Sequence, residues 1–439
     1  MSNASKTVGI YTLGCKVNQY ESEAIAEGLT TRGFAVVPFS QICDAYIINT
    51  CTVTAESDRK ARQLIRRAIK TNPAAYIIVT GCMAEVFSDK LAKIEGIDYI
   101  CGNGRKLQVI DALEDLLLQG HKNAVPKIEI APLDTFEEMQ IAKFDRTRAY
   151  IKIEDGCENR CTYCIIPEAR GKVRSKSPAD VLAEVRALTE GGCREIVLTG
   201  IETASYGRDF DNGYRLADLL EEVDAIPNVG RVRLGSLDPS LMKPEFVNRI
   251  AKLKSLTPHF HLSMQSGSDK ILALMKRKYN RKMALEGMER LRAAMPNVQF
   301  TTDIIVGFPG ETEEDFNLTV DFAKQARFLM IHVFPYSERR GTVAATLPGR
   351  VPEEIRHQRV RELSAIQAEI QKEILNSYTD TAVSVLFETY TDGTAIGHTD
   401  TFVEVSCAAP HALQSQTHTV YITGNDGKQC FGTLCPKPN

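Results

Sequence analysis

Three cysteines lie within eight residues of this chain, at Cys157, Cys161 and Cys164; we call them the loop site. A [4Fe-4S] cube has four irons that each need a ligand, and thiolates are its usual protein donors. Three cysteines therefore hold such a cube and leave one iron open for a small molecule. Zinc is the competing interpretation, but a structural zinc site is closed by four Cys or His ligands, and no histidine occurs between His121 and His259. Three buried thiols without a metal are the remaining alternative, which their close spacing disfavours.

The region before residue 120 alternates short apolar runs with segments of helical periodicity. This alternation is typical of a parallel sheet with crossover helices, so an α/β domain is expected here. Its strands are predicted at Val8–Thr12, Tyr46–Asn49, Tyr76–Thr80 and Asp98–Ile100. Its helices are predicted over Tyr20–Arg32, Ser57–Lys70 and Lys106–Leu118.

A cysteine follows each of three predicted strands, at Cys15, Cys51 and Cys82; we call these the sheet site. Parallel strands gather their carboxyl ends at one edge of the sheet, where open α/β folds build their sites. The three thiols are therefore predicted to converge on a second [4Fe-4S] cluster. A lone cysteine is usually a small buried hydrophobic residue, but the repeated placement disfavours that alternative. Cys101 follows the fourth strand, and we predict that it is not a ligand, because three thiols suffice.

The region after residue 147 repeats the pattern of a strand followed by a helix. Six such units favour a partial (β/α)6 TIM-like barrel, whose site lies at the carboxyl ends of the strands. The strands are predicted at Ala149–Ile153, Glu195–Thr199, Val232–Leu234, His259–Leu262, Val298–Asp303 and Met330–Phe334. Helices are predicted between them, for example over Ala179–Leu188 and Glu313–Gln325.

A long helix is predicted from Glu353 to Tyr378, and the tail after it is rich in Thr, Val and Gly. Short runs in this tail are typical of the strands of a small β-barrel. They lie at Ala382–Thr389, Phe402–Ser406, Thr419–Thr423 and Gln429–Thr433. The predicted domains thus cover residues 5–120, 148–376 and 377–439, with a linker at 121–147 that holds at most one strand.

The size of the chain, 439 residues, suits three domains of roughly 150 residues each. Its twelve cysteines and the lack of a signal-peptide segment indicate a reducing cytosol and metal ligation rather than disulfides. The sequence has no run of about 18 apolar residues that would predict a membrane helix. We therefore expect a cytoplasmic protein without a membrane partner. Because the net charge is −3, a nucleic-acid partner would have to be held by local basic patches.

Several motifs resemble those of the radical S-adenosylmethionine (SAM) methylthiotransferase family, and the resemblance covers nearly the whole chain. The loop site is similar to the cluster motif of radical SAM enzymes, and the tail resembles the TRAM domain, a small nucleic-acid-binding barrel. The amino-terminal domain carries the remaining motifs: Leu13-Gly14-Cys15-Lys16-Val17-Asn18, Asn49-Thr50-Cys51-Thr52-Val53-Thr54 and Gly81-Cys82-Met83-Ala84-Glu85.

The resemblance implies methylthiolation of a substrate by radical chemistry, with two [4Fe-4S] clusters and two SAM molecules per turnover. It implies that the loop site cleaves SAM to a 5′-deoxyadenosyl radical and that the sheet site provides the sulfur. The substrate implied is C2 of N6-threonylcarbamoyladenosine (t6A) at position 37 of tRNA, because Cys15-Lys16-Val17-Asn18 and Thr52-Val53-Thr54 are most similar to that branch. No side-chain base removes a proton from such a carbon at neutral pH, so the cofactor carries the chemistry.

The side chains at or just past the ends of the predicted barrel strands suit a cofactor site. Under the resemblance, we expect these residues to contact SAM, with Arg277 serving its carboxylate. The predicted set is Gly200, Thr203, Ser236, Asp238, Gln265, Arg277, Thr302, Asp303 and Phe334.

Basic residues are the candidate contacts to tRNA phosphates. One group lies on a single predicted helix face at i, i+4 spacing, and a second follows the loop site without an intervening acid. They are Arg62, Arg66 and Lys70 in the first group, and Arg170, Lys172 and Arg174 in the second. A solvated surface is the alternative for each group. The tail after Tyr378 has two Lys, no Arg and six acids, which argues against a strong electrostatic role for it.

Three other functions are compatible with these residues. A zinc or iron-sulfur protein that binds RNA without catalysis would keep the cysteines but consume no SAM. Within the family, isopentenyladenosine at position 37 of tRNA or ribosomal protein S12 would be the substrate instead. In each catalytic case the resemblance implies an electron donor such as flavodoxin or ferredoxin.

Overall fold

The computed structural model describes residues 5–142 and 147–436. The described chain forms a six-stranded parallel sheet, two three-stranded parallel sheets and a closed five-stranded barrel, with a short two-stranded ladder beside them. The predicted fold class is confirmed. Residues 143–146 of the predicted linker and residues 437–439 of the predicted tail domain lie outside the described residues.

The amino-terminal sheet is buried on both faces because helices pack on each side of it. In chain order its strands are β1 (Thr7–Thr12), β2 (Ala35–Val37), β3 (Ala45–Thr50), β4 (Tyr76–Gly81), β5 (Tyr99–Cys101) and β6 (Lys127–Glu129). The helices are α1 (Lys16–Thr31), α2 (Ala55–Thr71), α3 (Cys82–Leu91) and α4 (Gln108–Gln119). The strand order is β2-β1-β3-β4-β5-β6, which places the ends of β1, β3 and β4 side by side.

Two elements of this region, β2 and α3, were not predicted, and β6 is the one strand that the linker prediction allowed. β2 has only three residues, so it shows no strand pattern of its own. α3 loses its helical spacing at Phe87, where the backbone is not helical. α1 begins at Lys16 rather than at the predicted Tyr20, because Cys15, whose backbone is extended, is the N-cap of the helix.

The central region forms the predicted partial barrel. Its strands are β7 (Arg148–Lys152), β8 (Glu154–Asp155), β9 (Arg174–Ser175), β10 (Glu195–Thr199), β11 (Arg231–Leu234), β12 (His259–Gln265), β13 (Gln299–Val306) and β14 (Met330–Pro335). Its helices are α5 (Ile166–Arg170), α6 (Pro178–Glu190), α7 (Leu216–Asp224), α8 (Pro244–Ile250), α9 (Asp269–Leu274), α10 (Arg281–Ala294) and α11 (Glu313–Ala326). Parallel sheets β7-β10-β11 and β12-β13-β14 meet through a bridge between Leu237 and Leu262. Six strands therefore curve in chain order, and the short β8 and β9 pair beside the loop site.

The last helix, α12 (Glu353–Asn376), leads into the closed barrel. Its strands are β15 (Ala382–Thr391), β16 (Thr394–Thr399), β17 (Glu404–Ala408), β18 (Thr417–Asn425) and β19 (Cys430–Leu434). The order is β15-β16-β17-β19-β18, and four of the five strands were predicted. β16 was missed because its mixture of Thr, Gly and His residues around Ile396 lacks a clear apolar alternation.

One phenylalanine fastens this small barrel to the central one. Phe402 lies between the rings of His259 and His398, with centroids 4.7 and 4.8 Å away. The guanidinium groups of Arg148 and Arg233 lie 5.1 and 4.9 Å from the same ring. Because His259 and Arg148 begin their strands, the small barrel packs on the amino-terminal ends of the central strands.

Candidate active site

The loop site lies at the carboxyl ends of the central strands. All three of its cysteines line one cavity of about 300 Å³. Backbone hydrogen bonds fix the loop: the Cys157 N–H donates to the Gly171 carbonyl at 3.0 Å, and the Thr162 N–H donates to the Met275 carbonyl at 3.1 Å. The three thiols therefore face one space.

The protein around these thiols favours a bound metal group. Burial raises the pKa of both Cys157 and Cys164 to about 12. Thiols of this kind stay protonated at neutral pH unless a cation stabilises the thiolate, as metal ligation does. Arg277 Nη1 donates a hydrogen bond to Cys161 Sγ at 3.2 Å. The donor set fits a [4Fe-4S] cluster with three protein ligands.

Single-ion coordination does not fit either cysteine site. In the described ranges, no three His, Cys, Asp or Glu side chains are grouped closely enough for one metal ion. In a four-iron cluster each thiolate ligates a different iron, so the sulfurs stand further apart than the ligands of one zinc ion.

The sheet site is assembled where β1, β3 and β4 end side by side. Gly14 and Gly81 precede Cys15 and Cys82 with φ of 103° and 99°, a left-handed backbone that suits glycine. A Cβ on Gly14 would lie 2.8 Å from the Cβ of Cys51, so no larger residue fits between these chain segments. The two glycines thus allow the three cysteines to approach one another.

Burial also governs the thiols of the sheet site. It raises the pKa of Cys51 to about 12, and the neighbouring Cys82 adds to that shift. It raises the pKa of Cys15 as well, although that side chain is accessible, because Cys15 faces a space surrounded by protein. The Cys82 sulfur accepts a hydrogen bond from Arg170 Nε at 3.4 Å.

Cys101 lies apart from these three cysteines. Its sulfur donates to the Arg105 carbonyl at 3.2 Å, and its side chain packs in an apolar core with Val8 and Tyr99. This position agrees with a structural role.

The two cysteine sites are neighbours in space. α3, which begins at Cys82, packs against α5, which starts two residues after Cys164. Val53 and Thr54, just after Cys51, line the same cavity as the loop site. The amino-terminal domain therefore forms part of the cavity wall.

Comparison with known proteins identifies the family. The Radical SAM superfamily matches residues 151–323, and the Uncharacterized protein family UPF0004 matches residues 7–102. The threonylcarbamoyladenosine tRNA methylthiotransferase MtaB of Bacillus subtilis is 39% identical over 407 residues, which covers 91% of this chain and 90% of that protein. The chain belongs to the radical SAM methylthiotransferase family.

Two further proteins are similar to this methylthiotransferase. The tRNA-2-methylthio-N(6)-dimethylallyladenosine synthase of Desulfitobacterium hafniense is 35% identical, and the match covers 84% of this chain and 83% of that one. The solved structure of the radical S-adenosylmethionine methyltransferase TsrM from Kitasatospora setae shares the fold, with a TM-score of 0.56 at 15% identity. That alignment covers 78% of this chain and 77% of TsrM.

Family membership confirms the resemblance seen in the sequence. The methylthiotransferase is a tRNA-modifying enzyme of the radical SAM type, for which SAM and a [4Fe-4S] cluster are implied. Within residues 5–142 and 147–436, none of the helices is long and apolar enough to span a bilayer.

The nine predicted SAM contacts of the methylthiotransferase differ in whether they reach the cavity. Four of them line the cavity: Gln265, Arg277, Asp303 and Phe334. Gly200, Thr203, Ser236 and Asp238 are not among the lining residues, although Asp238 accepts a hydrogen bond from Arg277 Nη2 at 3.0 Å. The prediction is wrong for Thr302, because its buried hydroxyl donates to the Leu262 carbonyl at 2.5 Å inside the sheet.

Sequence reasoning missed Glu202, a buried acid on the cavity wall. Burial raises its pKa to about 7, and the nearby Asp238 adds to the shift. Asn159 Nδ2 lies 3.4 Å from Glu202 Oε2, while Oε1 has no hydrogen-bond partner in the described part of the chain. An acceptor left open in this way suits a cationic ligand, and SAM carries an ammonium and a sulfonium group. Glu202 could have been predicted from the sequence, because it lies just past β10, beside the predicted Gly200.

Some of the predicted tRNA contacts are accessible to a phosphate, and others are buried. Arg62 is half-buried, Arg66, Lys70 and Lys172 are exposed, and no carboxylate of the described residues forms an ion pair with any of them. The prediction is wrong for two residues of the second group. Arg170 is fully buried and pairs with Glu21 and Asp155. Arg174 is buried as well, and its Nη1 donates to the carbonyls of Leu133, Arg170 and Lys172.

Proposed function

We propose that this enzyme methylthiolates C2 of t6A at position 37 of tRNA, with two [4Fe-4S] clusters and two SAM molecules per turnover. The observation that carries the proposal is the adjacency of the two cysteine sites: the loop site lines a cavity whose wall includes Val53 and Thr54, just after Cys51, and α3 packs against α5. The substrate is supported by the relative from Bacillus subtilis, whose name gives threonylcarbamoyladenosine and which is 39% identical.

The cysteines divide the work in this proposal. The loop site holds the cluster that binds SAM, and the sheet site holds the cluster that provides sulfur. When bound, these groups supply the one-electron and radical chemistry that an aromatic C–H requires. The chain itself brings both sites, the cofactor and the base to within a few ångströms, which converts separate encounters into one positioned reaction.

Two buried side chains orient SAM in this proposal. Arg277 is held rigidly by Asp238 at 3.0 Å and by the Ser263 carbonyl at 3.1 Å. Its fixed guanidinium offers a positive charge to a carboxylate. Glu202 offers the open acceptor to an ammonium group. Phe334, 43% exposed on the cavity, offers an apolar ring against which a flipped-out adenine stacks.

The tRNA backbone is held by the basic face of α2 in this proposal. Arg66 and Lys70 are exposed beside Arg62, one and two helical turns along the same face. α2 starts four residues after Cys51, so its amino-terminal end lies next to the cavity. Phosphate contacts here would place the anticodon loop over the site.

The test is nucleoside mass spectrometry of tRNA from cells that lack the gene, complemented with wild-type enzyme. Restored 2-methylthio-t6A supports the proposal. Restored 2-methylthio-isopentenyladenosine would give the enzyme the activity named for its Desulfitobacterium hafniense relative. An unchanged tRNA with methylthiolated ribosomal protein S12 would move the substrate from RNA to protein.

A further inference from the structure

A buried ion-pair network joins the amino-terminal sheet to the central barrel. Its six side chains are all at most 7% exposed: Glu21, Lys106, Lys152, Asp155, Arg170 and Arg174. Arg170 Nη1 lies 2.5 Å from Glu21 Oε1 and 3.1 Å from Asp155 Oδ2. Arg170 therefore bridges both carboxylates, as Lys152 does.

The ion pairs of the network join four cations to only two carboxylates, Glu21 and Asp155. Glu85 and Glu137 lie close by without an ion pair to these cations; burial raises the pKa of both carboxyls and lowers the pKa of Lys106. A surplus of buried charge is costly unless an opposite charge compensates it. An anionic group beside the network would supply that compensation.

Cys82 of the sheet site lies beside this network, in contact with Arg170. Arg170 uses its guanidinium nitrogens in three directions: Nη1 to Glu21, Nη2 to Asn18 Oδ1 at 2.5 Å, and Nε to Cys82 Sγ at 3.4 Å. The buried cation therefore touches a sulfur of the sheet site directly. When Cys82 ligates a cluster, its sulfur carries negative charge and would accept a charge-assisted hydrogen bond from Arg170.

We propose that Arg170 is a positioning residue that fixes the Cys82 thiolate and raises the reduction potential of the cluster bound at the sheet site. This inference rests on the second cluster of the proposed function. Hydrogen bonds to the sulfurs and nearby positive charge make the reduced, more negative form of an iron-sulfur cluster easier to reach. Arg170 belongs to the central barrel, so the partner domain sets this potential.

The experiment uses the full chain with the three loop-site cysteines changed to Ala, so that only the sheet site carries a cluster. The midpoint potential is measured by electron paramagnetic resonance during titration with dithionite, which donates the electron. Arg170→Lys keeps the charge but removes the planar donor to sulfur, and we expect a more negative potential. Arg174→Lys is the matched control, since it makes the same change in the same network without touching a cysteine, and it should leave the potential near the parent value.

Glu21→Gln tests the opposite sign. It removes a negative charge from the network, so the potential should become more positive. Loosened packing and added water would also stabilise the more negative reduced cluster and raise the potential, so the fall expected for Arg170→Lys is the shift that misfolding would not produce. Equal potentials for Arg170→Lys and Arg174→Lys, with iron retained in both, would overturn the inference. A parent protein without any iron would instead overturn the second cluster itself, and with it the proposed function.

Discussion

The basic face of α2 permits a quantitative test of how tRNA is held. Arg62, Arg66 and Lys70 lie on one helix face without an ion-pair partner in the described chain, so each charge is available to a phosphate. Each phosphate contact steepens the dependence of log affinity on log salt by about 0.7–0.9 units, because it releases a condensed counterion. Replacing the three residues with Gln should therefore flatten the slope by about 2–3 units.

The consequence for affinity follows directly. Over a fourfold rise in salt, from about 50 to 200 mM, three phosphate contacts account for about a 20- to 40-fold loss of affinity. The variant should lose that part of the salt effect and should bind more weakly at low salt. Fluorescence anisotropy of a labelled anticodon stem-loop across a salt series measures both quantities.

A matched control removes the same charge elsewhere. Lys252, Lys254 and Lys324 are exposed on the central barrel, in the segments that lead into the amino-terminal ends of β12 and β14. Replacing these three with Gln should change the slope little. If the control lost as much slope as the α2 variant, the binding would depend on overall charge, and our assignment of the surface to α2 would be refuted.

Four further outcomes test other parts of the structure. Cys157→Ala should abolish SAM cleavage yet keep an iron-sulfur absorbance from the sheet site; loss of all absorbance would contradict two independent sites. Cys82→Ala should still cleave SAM but yield no methylthiolated nucleoside by mass spectrometry, and normal product would remove this cysteine from the site. Arg339→Met should lower the unfolding free energy in urea by about 3 kcal/mol, because it deprives Asp58 of its partner at 2.9 Å; a loss below about 1 kcal/mol would show that this pair is dispensable. Burial would raise the pKa of Asp315, but the donors around it outweigh burial and lower that pKa to about 2 from 3.8. Its stabilisation is therefore complete above about pH 4 and lost as the pH falls towards 2, so Asp315→Asn should flatten the stability curve in that range, and an unchanged curve would exclude this carboxylate.

The sequence could indicate where the six cysteines lie because the patterns that place them are local or periodic; their role as cluster ligands stays a prediction. A short motif brings the loop-site thiols together without help from the rest of the chain. The sheet-site thiols are distant in sequence, but each follows a parallel strand, and the carboxyl ends of parallel strands lie at one edge of the sheet regardless of loop conformation. Only the periodicity of the strands had to be recognised.

The predictions for Arg170, Arg174 and Thr302 were wrong because these residues contact parts of the chain that are distant in sequence. Arg170 and Arg174 follow the loop site in a run without an acid, so the sequence indicates a solvated basic patch. Glu21, the acidic partner of Arg170, lies far earlier in the chain, and no local pattern shows that a carboxylate from α1 meets this arginine. Arg174 is held by Asp155 and by backbone carbonyls, which no local pattern shows either. Thr302 failed similarly, since its side chain bonds to the backbone of the adjacent strand rather than facing the cavity.

Helix α5 has a consequence for how the enzyme is assembled. It spans five residues between Cys164 of one cluster site and Arg170, which contacts Cys82 of the other. An amino-terminal domain made alone would lack Arg170 and Lys152, and Glu21 would retain only Lys106 of its three cationic partners. Under the proposed function, we therefore expect iron to be inserted at the sheet site only after the two domains have docked. The two halves are not interchangeable modules, and transplanting the amino-terminal domain onto another radical SAM barrel would require α5 to travel with it.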